Sequence, residues 1–487
     1  MERRLSAHRA ESRENAPSES AVLTSKKERL PMDPNQGRSR DVRNTEPKSC
    51  ARAKIQFYLR CFPTGALMKR SSVLSCLAGL IVLILLNSLW IPWGSAAPAQ
   101  GPPATAGSEP STTTLIVKAA KGLQLAQQLS AVTGHGGVVK RSIPKLNLHV
   151  LEVPAAAAAA ITKELSSDRA IVRVEANRER KIKAFSALAS PPAPQTSTSG
   201  LPWYLPQISW DQVYGSVTPT SLATVAVLDT GVDATHPDLT GIVVPGTSIL
   251  DGLDGTTDAN GHGTWVSGIV AARVNQAQAT GGVDYNLVQV LPVTVLGADG
   301  TGYDGDIIAG VVYAVDHGAS VILMAFSASG YSDSLQDAID YAWSNNVVVV
   351  AAAGNDGSNT ATFPAGDRGV IGVSATDQND ALASWSNYGA SIFLATPGVG
   401  IKSTYPGASY VTWDGTSASA AIVAGSAALM RTIDSTLSNG VVVDRLASTA
   451  DAAGTQNQTG NGRVNLARAI ASTATNSIQP AGSPPVG

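Results

Sequence analysis

The feature that most constrains the fold is a regular alternation of strand-like and helix-like segments between residues 203 and 472. The strand-like runs are almost continuously apolar, rather than alternating apolar with polar residues. Strands of that kind are buried on both faces, which is typical of a parallel sheet covered by helices on both sides. The strand-like runs are ATVAVLD, LVQVLPVTVL, SVILMAF, VVVVAAAG, GVIGVSA and SIFLATPG, and the helix-like segments are GTWVSGIVAARV, DIIAGVVYAVDHG, SLQDAIDYAWSNN and TSASAAIVAGSAALMRT.

A second, smaller unit is predicted at residues 113–185. TTLIVKAA, LNLHVLEVP and AIVRVEANRERKI favour strands, with helices at GLQLAQQLSAV and AAAAAAITKELSSD. This β-α-β…α-β order favours a small α+β unit of ferredoxin-like type. Pro/Ser/Ala/Gly-rich stretches without periodicity predict linkers at 100–112 and 186–200. The larger unit then occupies 201–473, and a disordered tail is expected at 474–487.

Residues 68–99 have the layout of a secretory signal. Lys69 and Arg70 precede an uncharged apolar run that ends in small residues. The alternative is an uncleaved membrane anchor at residues 73–93, because the run approaches the ~20 residues that span a bilayer. Residues 1–67 are then a polar extension, disordered or untranslated if Met68 is the true start. The chain is expected outside the cytoplasm, secreted or anchored and facing outwards.

Charge and cysteine content exclude some classes of protein. Lys and Arg total 35 and Asp and Glu 37, but the N-terminal extension is basic, so the remainder is acidic. That remainder has no basic patch with interleaved aromatic residues, and nucleic acid is therefore not an expected partner. The three cysteines, Cys50, Cys61 and Cys76, all precede residue 80, so neither disulfides nor a cysteine metal site hold the later part together.

Three polar residues stand just beyond buried segments, where ligands bind in open parallel sheets. Asp229 ends ATVAVLD, His262 lies in NGHGTW, and Ser417 opens the last long helix. Hydrolysis through a serine needs a base to take its proton and a carboxylate to orient that base. Each residue alone has a simpler interpretation, as a turn former or a helix cap. The order Asp…His…Ser is nevertheless one in which this triad occurs.

Only one of the six histidines lies at a Gly-rich junction between strand and helix, and that is His262. His236 precedes a proline in a loop, and His317 falls where a helix should end. A metal hydrolase built from Asp229, His236 and His262 is disfavoured, because no short ligand spacing such as HExxH occurs.

Asn355 follows the apolar run VVVVAAAG, where its amide can point toward the predicted site. A developing oxyanion needs such a donor, and the backbone N–H of Ser417 at a helix N-terminus is a second one. By itself, a Gly-Asn pair after a strand predicts only a turn.

Residues 203–472 resemble the subtilisin-family serine proteases, nearest in pattern to the thermitase-like and bacterial subtilisins. The resemblance is carried, in order, by VAVLDTGVDATHPDL, NGHGTWVSGIVAA, VVVVAAAGNDG, DGTSASAAIVAGSAAL and GRVNLARAI. It implies that Asp229 orients His262, that His262 is the general base, that Ser417 is the nucleophile and that Asn355 stabilises the oxyanion. The unit at 113–185 similarly resembles the family's pro-domain, a folding chaperone and inhibitor that is cleaved off.

The resemblance also implies a substrate groove. VLGADGTG resembles the edge strand that pairs with an extended peptide, and ILMAFSASG takes the place of the opposite wall. Pairing with an exposed edge binds a substrate largely through its main chain. The implied substrate-binding residues are Gly300, Thr301, Gly302, Ala325, Phe326, Ser327, Ala353 and Gly354.

Calcium is common in the family, and Asp238 in HPDL matches a usual ligand, with the loop 274–283 as a source of further oxygens. The acidic loop with Asp251, Asp254 and Asp258 is a weaker candidate, since acidic surface loops are usually solvated. No organic cofactor is implied.

Two departures from the family pattern stand near the predicted chemistry. Trp265 and Ile422 each replace a histidine that takes no part in proton transfer, and we expect them to be neighbours. The prediction is a monomeric secreted serine endopeptidase made as a pro-enzyme and acting on polypeptides. The alternative is a catalytically impaired binding or regulatory module with the same fold.

Overall fold

A computed structural model of the chain describes residues 111–183 and 201–483, which all belong to one unit, Ala104–Gly487. The predicted extension (1–67), leader (68–99) and second linker (186–200) lie outside the described residues. Within the described ranges no helix combines the length and apolar character needed to cross a bilayer.

The smaller unit is a four-stranded antiparallel sheet with two helices on one face. Its strand order is β2-β3-β1-β4, and its element order β-α-β-β-α-β is that of the predicted ferredoxin-like type. Apolar side chains of β1 and β3 pack against Ile161 and Leu165 of the second helix. The elements are β1 (Thr112–Ala119), α1 (Leu125–Thr133), β2 (Val138–Ile143), β3 (Leu148–Pro154), α2 (Ala158–Ser167) and β4 (Ile171–Ala176).

Two expectations for this unit were wrong. Strand β2 was not predicted, although it completes the sheet. The segment 170–182, expected as one strand, forms β4 and a separate strand β5 (Glu179–Lys181). The chain divides after Asn177, whose backbone and side chain both donate to Thr114, and β5 then pairs outside this sheet.

The larger unit alternates strands and helices as predicted. Its short helices follow no strong periodicity and were not expected. The elements are α3 (Tyr204–Gln207), β6 (Ala223–Asp229), β7 (Thr247–Ser248), α4 (His262–Ala271), β8 (Val288–Thr294), β9 (Thr301–Tyr303), α5 (Asp304–Asp316), β10 (Val321–Met324), α6 (Asp333–Ser344), β11 (Val348–Ala352), β12 (Val370–Thr376), β13 (Leu394–Pro397), β14 (Ile401–Tyr405), β15 (Ser409–Trp413), α7 (Thr416–Ile433), α8 (Asn439–Ser448), α9 (Gln456–Thr459) and α10 (Leu466–Ala471).

The main sheet has seven parallel strands in the order β13-β12-β11-β10-β6-β8-β7, which confirms the predicted fold class. The chain starts at β6 and extends the sheet on both of its sides, so the order reverses between β6 and β10. Ligands bind beyond the carboxyl ends of strands at such a point. Asp229 ends β6 there, and Asn355 follows β11.

Helices cover the two faces of the main sheet, and successive strand residues point to opposite sides. Val225 and Val227 of β6 belong to the core that contains α4 and α7, whereas Ala226 and Leu228 belong to the core that contains α5 and α6. This arrangement explains why the strands are continuously apolar, since both side-chain directions are buried.

Residues 474–483 form no helix or strand, but they are hydrogen-bonded to the larger unit. Gly369 donates to the carbonyl of Pro480, and Ser483 donates to the carbonyl of Gly366. The expected disorder from residue 474 was therefore wrong for this segment, because backbone pairing holds a stretch whose composition alone suggests a loose tail.

The smaller unit packs on α5 and α6 of the larger one. Ile116, Ile143 and Leu148 are buried in the same apolar cluster as the inner faces of these helices. Around this contact, basic side chains of the smaller unit meet acidic side chains of the larger one. The ion pairs are Lys118–Asp337 (2.7 Å), Arg173–Asp337 (2.5 Å), Arg141–Asp306 (3.1 Å) and Lys145–Asp316 (3.3 Å).

Candidate active site

Asp229 and His262 form a buried, hydrogen-bonded pair. The Nδ1 atom of His262 lies 2.9 Å and 3.0 Å from the two carboxylate oxygens of Asp229. A carboxylate only accepts, so Nδ1 carries the proton and Nε2 is the basic nitrogen of the ring. The carboxylate is fixed in turn by the backbone N–H of Thr230 at 2.8 Å. This is the arrangement that an orienting acid and a general base require.

Glycines on either side of His262 permit this close approach. Gly261 has φ +98°, and a Cβ there would lie 2.1 Å from the ring of Tyr405. A Cβ on Gly263 would lie 2.0 Å from the carbonyl oxygen of Gly231, in the turn after β6. The sequence NGHGTW is therefore what brings helix α4 against the end of β6.

Ser417 lies in the first turn of α7, and its side chain is buried. Its Oγ donates to the carbonyl of Ala325, just beyond β10, at 2.9 Å. Attack by Oγ requires that this hydroxyl turn its proton toward a base. The backbone N–H groups of a first helical turn have no acceptor within the helix, so they are available to an anion.

Asn355 is held with its amide in a defined orientation. Its Oδ1 accepts from the backbone N–H of Thr416 at 3.0 Å and from the hydroxyl of the same residue at 2.8 Å. The opposite side of the amide, Nδ2, is thus the donor directed away from Thr416. Because Thr416 is adjacent to Ser417, Asn355 and Ser417 are both positioned by the start of α7.

Two chain segments, both of which pair with strand β5, form the walls of a groove. One wall is β9 with the preceding Gly300. The other wall carries Ser327, two residues after Ala325, whose carbonyl accepts from Ser417. We call the space between Gly300–Tyr303 and Ser327 the groove.

Strand β5 of the smaller unit occupies the groove. It pairs antiparallel with β9, so that Arg180 lies opposite Gly302 and Lys181 opposite Thr301. Lys181 also forms a bridge with Ser327 on the other wall. The backbone N–H of Ser327 donates to the carbonyl of Lys181 at 3.3 Å. The segment is therefore bound on both edges as an additional strand.

The chain continues along the groove beyond β5. The N–H of Ile182 donates to the carbonyl of Gly300 at 3.0 Å. The ammonium group of Lys183 then forms an ion pair with Asp356, the residue after Asn355. The segment Glu179–Lys183 thus runs toward the residues that surround Ser417.

The remaining groove candidates have diverse surroundings. Phe326 is buried in the apolar core on the α5 and α6 side of the sheet. The carbonyl of Ala353 accepts from Asn387 at 2.9 Å, and Gly354 donates to the hydroxyl of Thr416 at 3.0 Å. Ala353 and Gly354 therefore support the loop that carries Asn355.

Asp238, the predicted calcium ligand, is already hydrogen-bonded. Its Oδ2 accepts from the hydroxyl of Tyr410 at 2.7 Å, and the amide of Asn275 lies 3.2 Å and 3.3 Å from its two oxygens. Within residues 111–183 and 201–483 there is no group of three or more His, Cys, Asp or Glu side chains suited to a metal ion. The donors around Asp238 do not fit a calcium ion.

The acidic loop is engaged in local hydrogen bonds as well. Asp251 and Asp254 accept from backbone N–H groups two residues further on. Asp258 accepts from the N–H groups of Gly261 and Thr264 and so caps the start of α4. Its role there is to hold the helix that carries His262.

His236, the third member of the disfavoured metal hydrolase, is remote from this chemistry. Its ring nitrogens are taken by backbone groups: Nε2 by the carbonyl of Ser409 at 3.0 Å, and Nδ1 by the N–H of Asp238 at 3.1 Å. It therefore stabilises a loop rather than completing a site with Asp229 and His262.

The two departures from the family pattern lie in one apolar core. Trp265 and Ile422 are both fully buried and belong to the large apolar core that contains α4 and α7. The indole N–H of Trp265 donates to the carbonyl of Ile401 at 3.2 Å, and its ring packs edge-on against Trp413. The Trp265 ring also lies beside the imidazole of His262, with the two ring centroids 5.8 Å apart.

Sequence reasoning missed several residues that organise the site. Thr416 orients Asn355, and Asn387 fixes the loop that carries it, accepting from the N–H of Asp356 at 2.9 Å. Asp304 and Asp356 contact the segment in the groove. No sequence motif links these residues, because they are far apart along the chain and only folding brings them together.

Comparison with known proteins agrees with this geometry. A model of the subtilase family (Peptidase S8) matches residues 221–463. Subtilisin BL of Lederbergia lenta is 38% identical over 265 residues, covering 54% of this chain and 97% of the relative. Thermitase of Thermoactinomyces vulgaris is 38% identical over 263 residues, covering 54% and 91%.

Two further proteins are matched over less of their length. A thermophilic serine proteinase of Bacillus sp. (strain AK1) is 44% identical over 222 residues, covering 46% of this chain but only 54% of the relative. The crystal structure of fervidolysin from Fervidobacterium pennivorans, a keratinolytic enzyme related to subtilisin, has a TM-score of 0.63 and 25% identity, covering 74% of this chain and 61% of that one.

The parallel sheet, the Asp229–His262 pair at its carboxyl edge and the matches above are those of a serine hydrolase. The chain belongs to the subtilase family of serine endopeptidases.

Proposed function

We propose that this protein is a secreted serine endopeptidase, made as a pro-enzyme, that cleaves extended polypeptides through Asp229, His262 and Ser417. The observation that carries the proposal is the two-oxygen contact between Asp229 and His262. It defines the ring tautomer in which Nε2 is basic.

The proposed cycle has two halves. His262 Nε2 takes the proton of Ser417 Oγ as Oγ attacks the substrate carbonyl, and the protonated ring then gives that proton to the leaving amine. The acyl group on Ser417 is released by a water molecule that His262 deprotonates in the same way. Asn355 Nδ2 and the backbone N–H of Ser417 stabilise the oxyanion in both halves.

Residues 113–185 act in this proposal as the pro-domain and inhibitor. Support comes from the segment Glu179–Lys183, which is bound between β9 and Ser327 as a substrate strand would be. The bond after Lys183 is the proposed maturation site, since Lys183 is paired with the neighbour of Asn355. Residues 186–200 then serve as a linker at the start of the mature enzyme.

Secretion rests on the signal-like residues 68–99, with a membrane anchor at 73–93 as the alternative. Polypeptides are the proposed substrates, and a monomer is the proposed state. No organic cofactor is needed for the cycle above. Asp238 is not proposed as a calcium ligand, because Tyr410 and Asn275 donate to its carboxylate.

The decisive test is an assay of the processed protein on denatured casein, with and without a serine-directed phosphonate. We expect turnover, and labelling at Ser417 that abolishes it. The Ser417→Ala precursor should also remain uncleaved. Absence of both turnover and labelling in a folded, processed protein contradicts the proposal.

A further inference from the structure

The side chain of Arg180 is completely buried where β5 crosses β9. Its Nε and one terminal nitrogen donate to the two carboxylate oxygens of Asp304, at 2.7 Å and 3.0 Å. The side chains of both residues have no solvent exposure. Two parallel N–H···O contacts of this kind are the strongest and most directional way to bind a guanidinium group.

Other groups complete the pocket around Arg180. Its remaining terminal nitrogen lies 3.4 Å from the carbonyl oxygens of Ala328 and Phe363. These two residues pair with each other through their backbones, so the carbonyls are held in place. Asp304, Ala328 and Phe363 all belong to the larger unit, which remains after the proposed maturation.

A second acidic side chain, that of Asp367, interacts electrostatically with Arg180. Asp367 is fully buried, and among the described residues neither of its carboxylate oxygens has a hydrogen-bond partner. Burial raises the pKa of Asp367 well above its usual range, and the positive charge of Arg180 opposes that rise. Burial also raises the pKa of Asp304, again against the effect of Arg180.

The position of this pocket along a substrate follows from the strand register. Arg180 lies opposite Gly302, and three residues later Lys183 contacts Asp356 beside Asn355. If the bond after Lys183 is cut, Arg180 is the fourth residue before it. A peptide substrate that pairs with β9 in the same register places its own fourth residue beside Asp304.

Removal of the smaller unit leaves Asp304 in a pocket that was built around a cation. Its carboxylate and the two carbonyls then face the groove, and an apolar side chain bound there would cover them without offering a hydrogen-bond partner. Lysine supplies only a single charge point, whereas arginine reproduces the two-point contact and reaches the carbonyls as well.

We propose that Asp304, together with the carbonyls of Ala328 and Phe363, is a specificity site for arginine at the fourth residue before the scissile bond. This inference rests on the proposed endopeptidase function and names its substrate class: polypeptides with arginine at that position.

The test uses the processed enzyme and fluorogenic peptides derived from residues 180–183, acetyl-Arg-Lys-Ile-Lys-amide being the parent. Citrulline, Lys and Leu replace the arginine in matched peptides. Citrulline has nearly the same shape without the charge. Loss of one partner of a buried, hydrogen-bonded charge pair predicts kcat/KM at least about 30-fold lower for citrulline and Leu. The lysine peptide should fall between them and the parent.

Substitution of the enzyme supplies the reciprocal measurement. Asp304→Asn should reduce the preference for arginine over citrulline to about 3-fold or less. The amide of asparagine is neutral and therefore does not favour the charged arginine over the uncharged citrulline. Asp316→Asn, at the opposite end of helix α5, is the control and should retain the full preference. If Asp304→Asn does not accumulate as processed enzyme, the peptide series on the unaltered enzyme decides alone.

The outcomes separate this inference from the proposed function. Hydrolysis of casein and of all four peptides at similar kcat/KM overturns the arginine site and leaves the endopeptidase intact. If the processed enzyme hydrolyses neither casein nor any of the four peptides, the proposed function is overturned. A preference for arginine that Asp304→Asn retains assigns the selectivity elsewhere and also overturns the inference.

Discussion

Thr416 holds Asn355 by two hydrogen bonds to one amide oxygen, from its backbone N–H at 3.0 Å and its hydroxyl at 2.8 Å. The residue before the proposed nucleophile therefore orients the proposed oxyanion donor. The proposed nucleophile, Ser417, and the proposed donor, Asn355, keep a fixed position relative to each other because the first turn of α7 holds both.

Thr416→Val should lower kcat by about 5-fold to 10-fold and leave KM nearly unchanged, since it removes one of these two bonds without a change of shape. Thr416→Ser should restore most of the activity. Asn355→Leu should cost more, within the 10²–10³ range measured for removal of an oxyanion donor in a subtilisin. Steady-state kinetics on one peptide amide measures all three variants. A matching rise in KM for Thr416→Val would assign Thr416 to substrate binding instead.

Lys183→Glu should slow maturation at least several-fold. Its carboxylate would face Asp356, whereas Lys183 forms an ion pair with that residue. Both side chains are about half exposed, so the effect should appear in processing rather than in fold stability. Gel analysis over time, with mass spectrometry of the new N-terminus, measures the rate. Lys183→Arg is the control and should be processed normally; cleavage of Lys183→Glu at the usual rate and site would contradict the assignment of this bond.

The precursor should lose stability as the pH falls below about 6.5. His149 is buried between Gln128 and Ser142, and burial lowers its pKa from the usual 6.5. Its ring is neutral above that pH in both the folded and the unfolded state. Below it the unfolded chain binds a proton more readily, so stability declines until the folded-state pKa is passed.

Thermal unfolding of the uncleaved Ser417→Ala precursor between pH 8 and pH 5 measures this contribution of His149. The same series on a His149→Gln background should show a shallower decline, because other titrating groups are common to both proteins. Equal slopes in the two backgrounds would exclude His149 as a contributor.

Trp265→His should destabilise the protein by about 2–4 kcal/mol, although it restores the residue usual in the family. The smaller ring leaves a cavity beside Trp413 and disrupts the hydrogen bond to the carbonyl of Ile401. Trp265→Phe should lose less, since it keeps more of the apolar volume. Denaturant unfolding of the inactive Ser417→Ala form gives the free energies, and a stabilised Trp265→His would show that this core is not adapted to tryptophan.

Removal of calcium by a chelator should not lower the melting temperature of the processed enzyme through any effect at Asp238. The carboxylate there is satisfied by Tyr410 and Asn275, so no cation is required. Melting curves with EDTA and with added Ca²⁺ make the comparison. A calcium-dependent rise in Tm that Asp238→Asn abolishes would restore the predicted metal site.

The sequence by itself determined the larger architecture and the candidate residues of the triad. Continuous apolar runs require strands buried on both faces, and such strands form a parallel sheet covered by helices. The rule that ligands bind beyond the carboxyl ends of those strands then singled out Asp229, and glycine-rich junctions singled out His262 and Ser417. The prediction of the fold succeeds because local periodicity and backbone requirements are recorded in short stretches of sequence.

Only the tertiary structure decided how the groove is built and occupied. Arg180 and Asp304 are 124 positions apart in the chain. The local sequence around each of them predicts only an ordinary, exposed charged side chain. Other features also depend on contacts between distant segments. They are the break between β4 and β5, the orientation of Asn355 by Thr416, and the hydrogen bond from Tyr410 to Asp238. Burial and partner choice arise when distant segments pack together, and no local pattern records them.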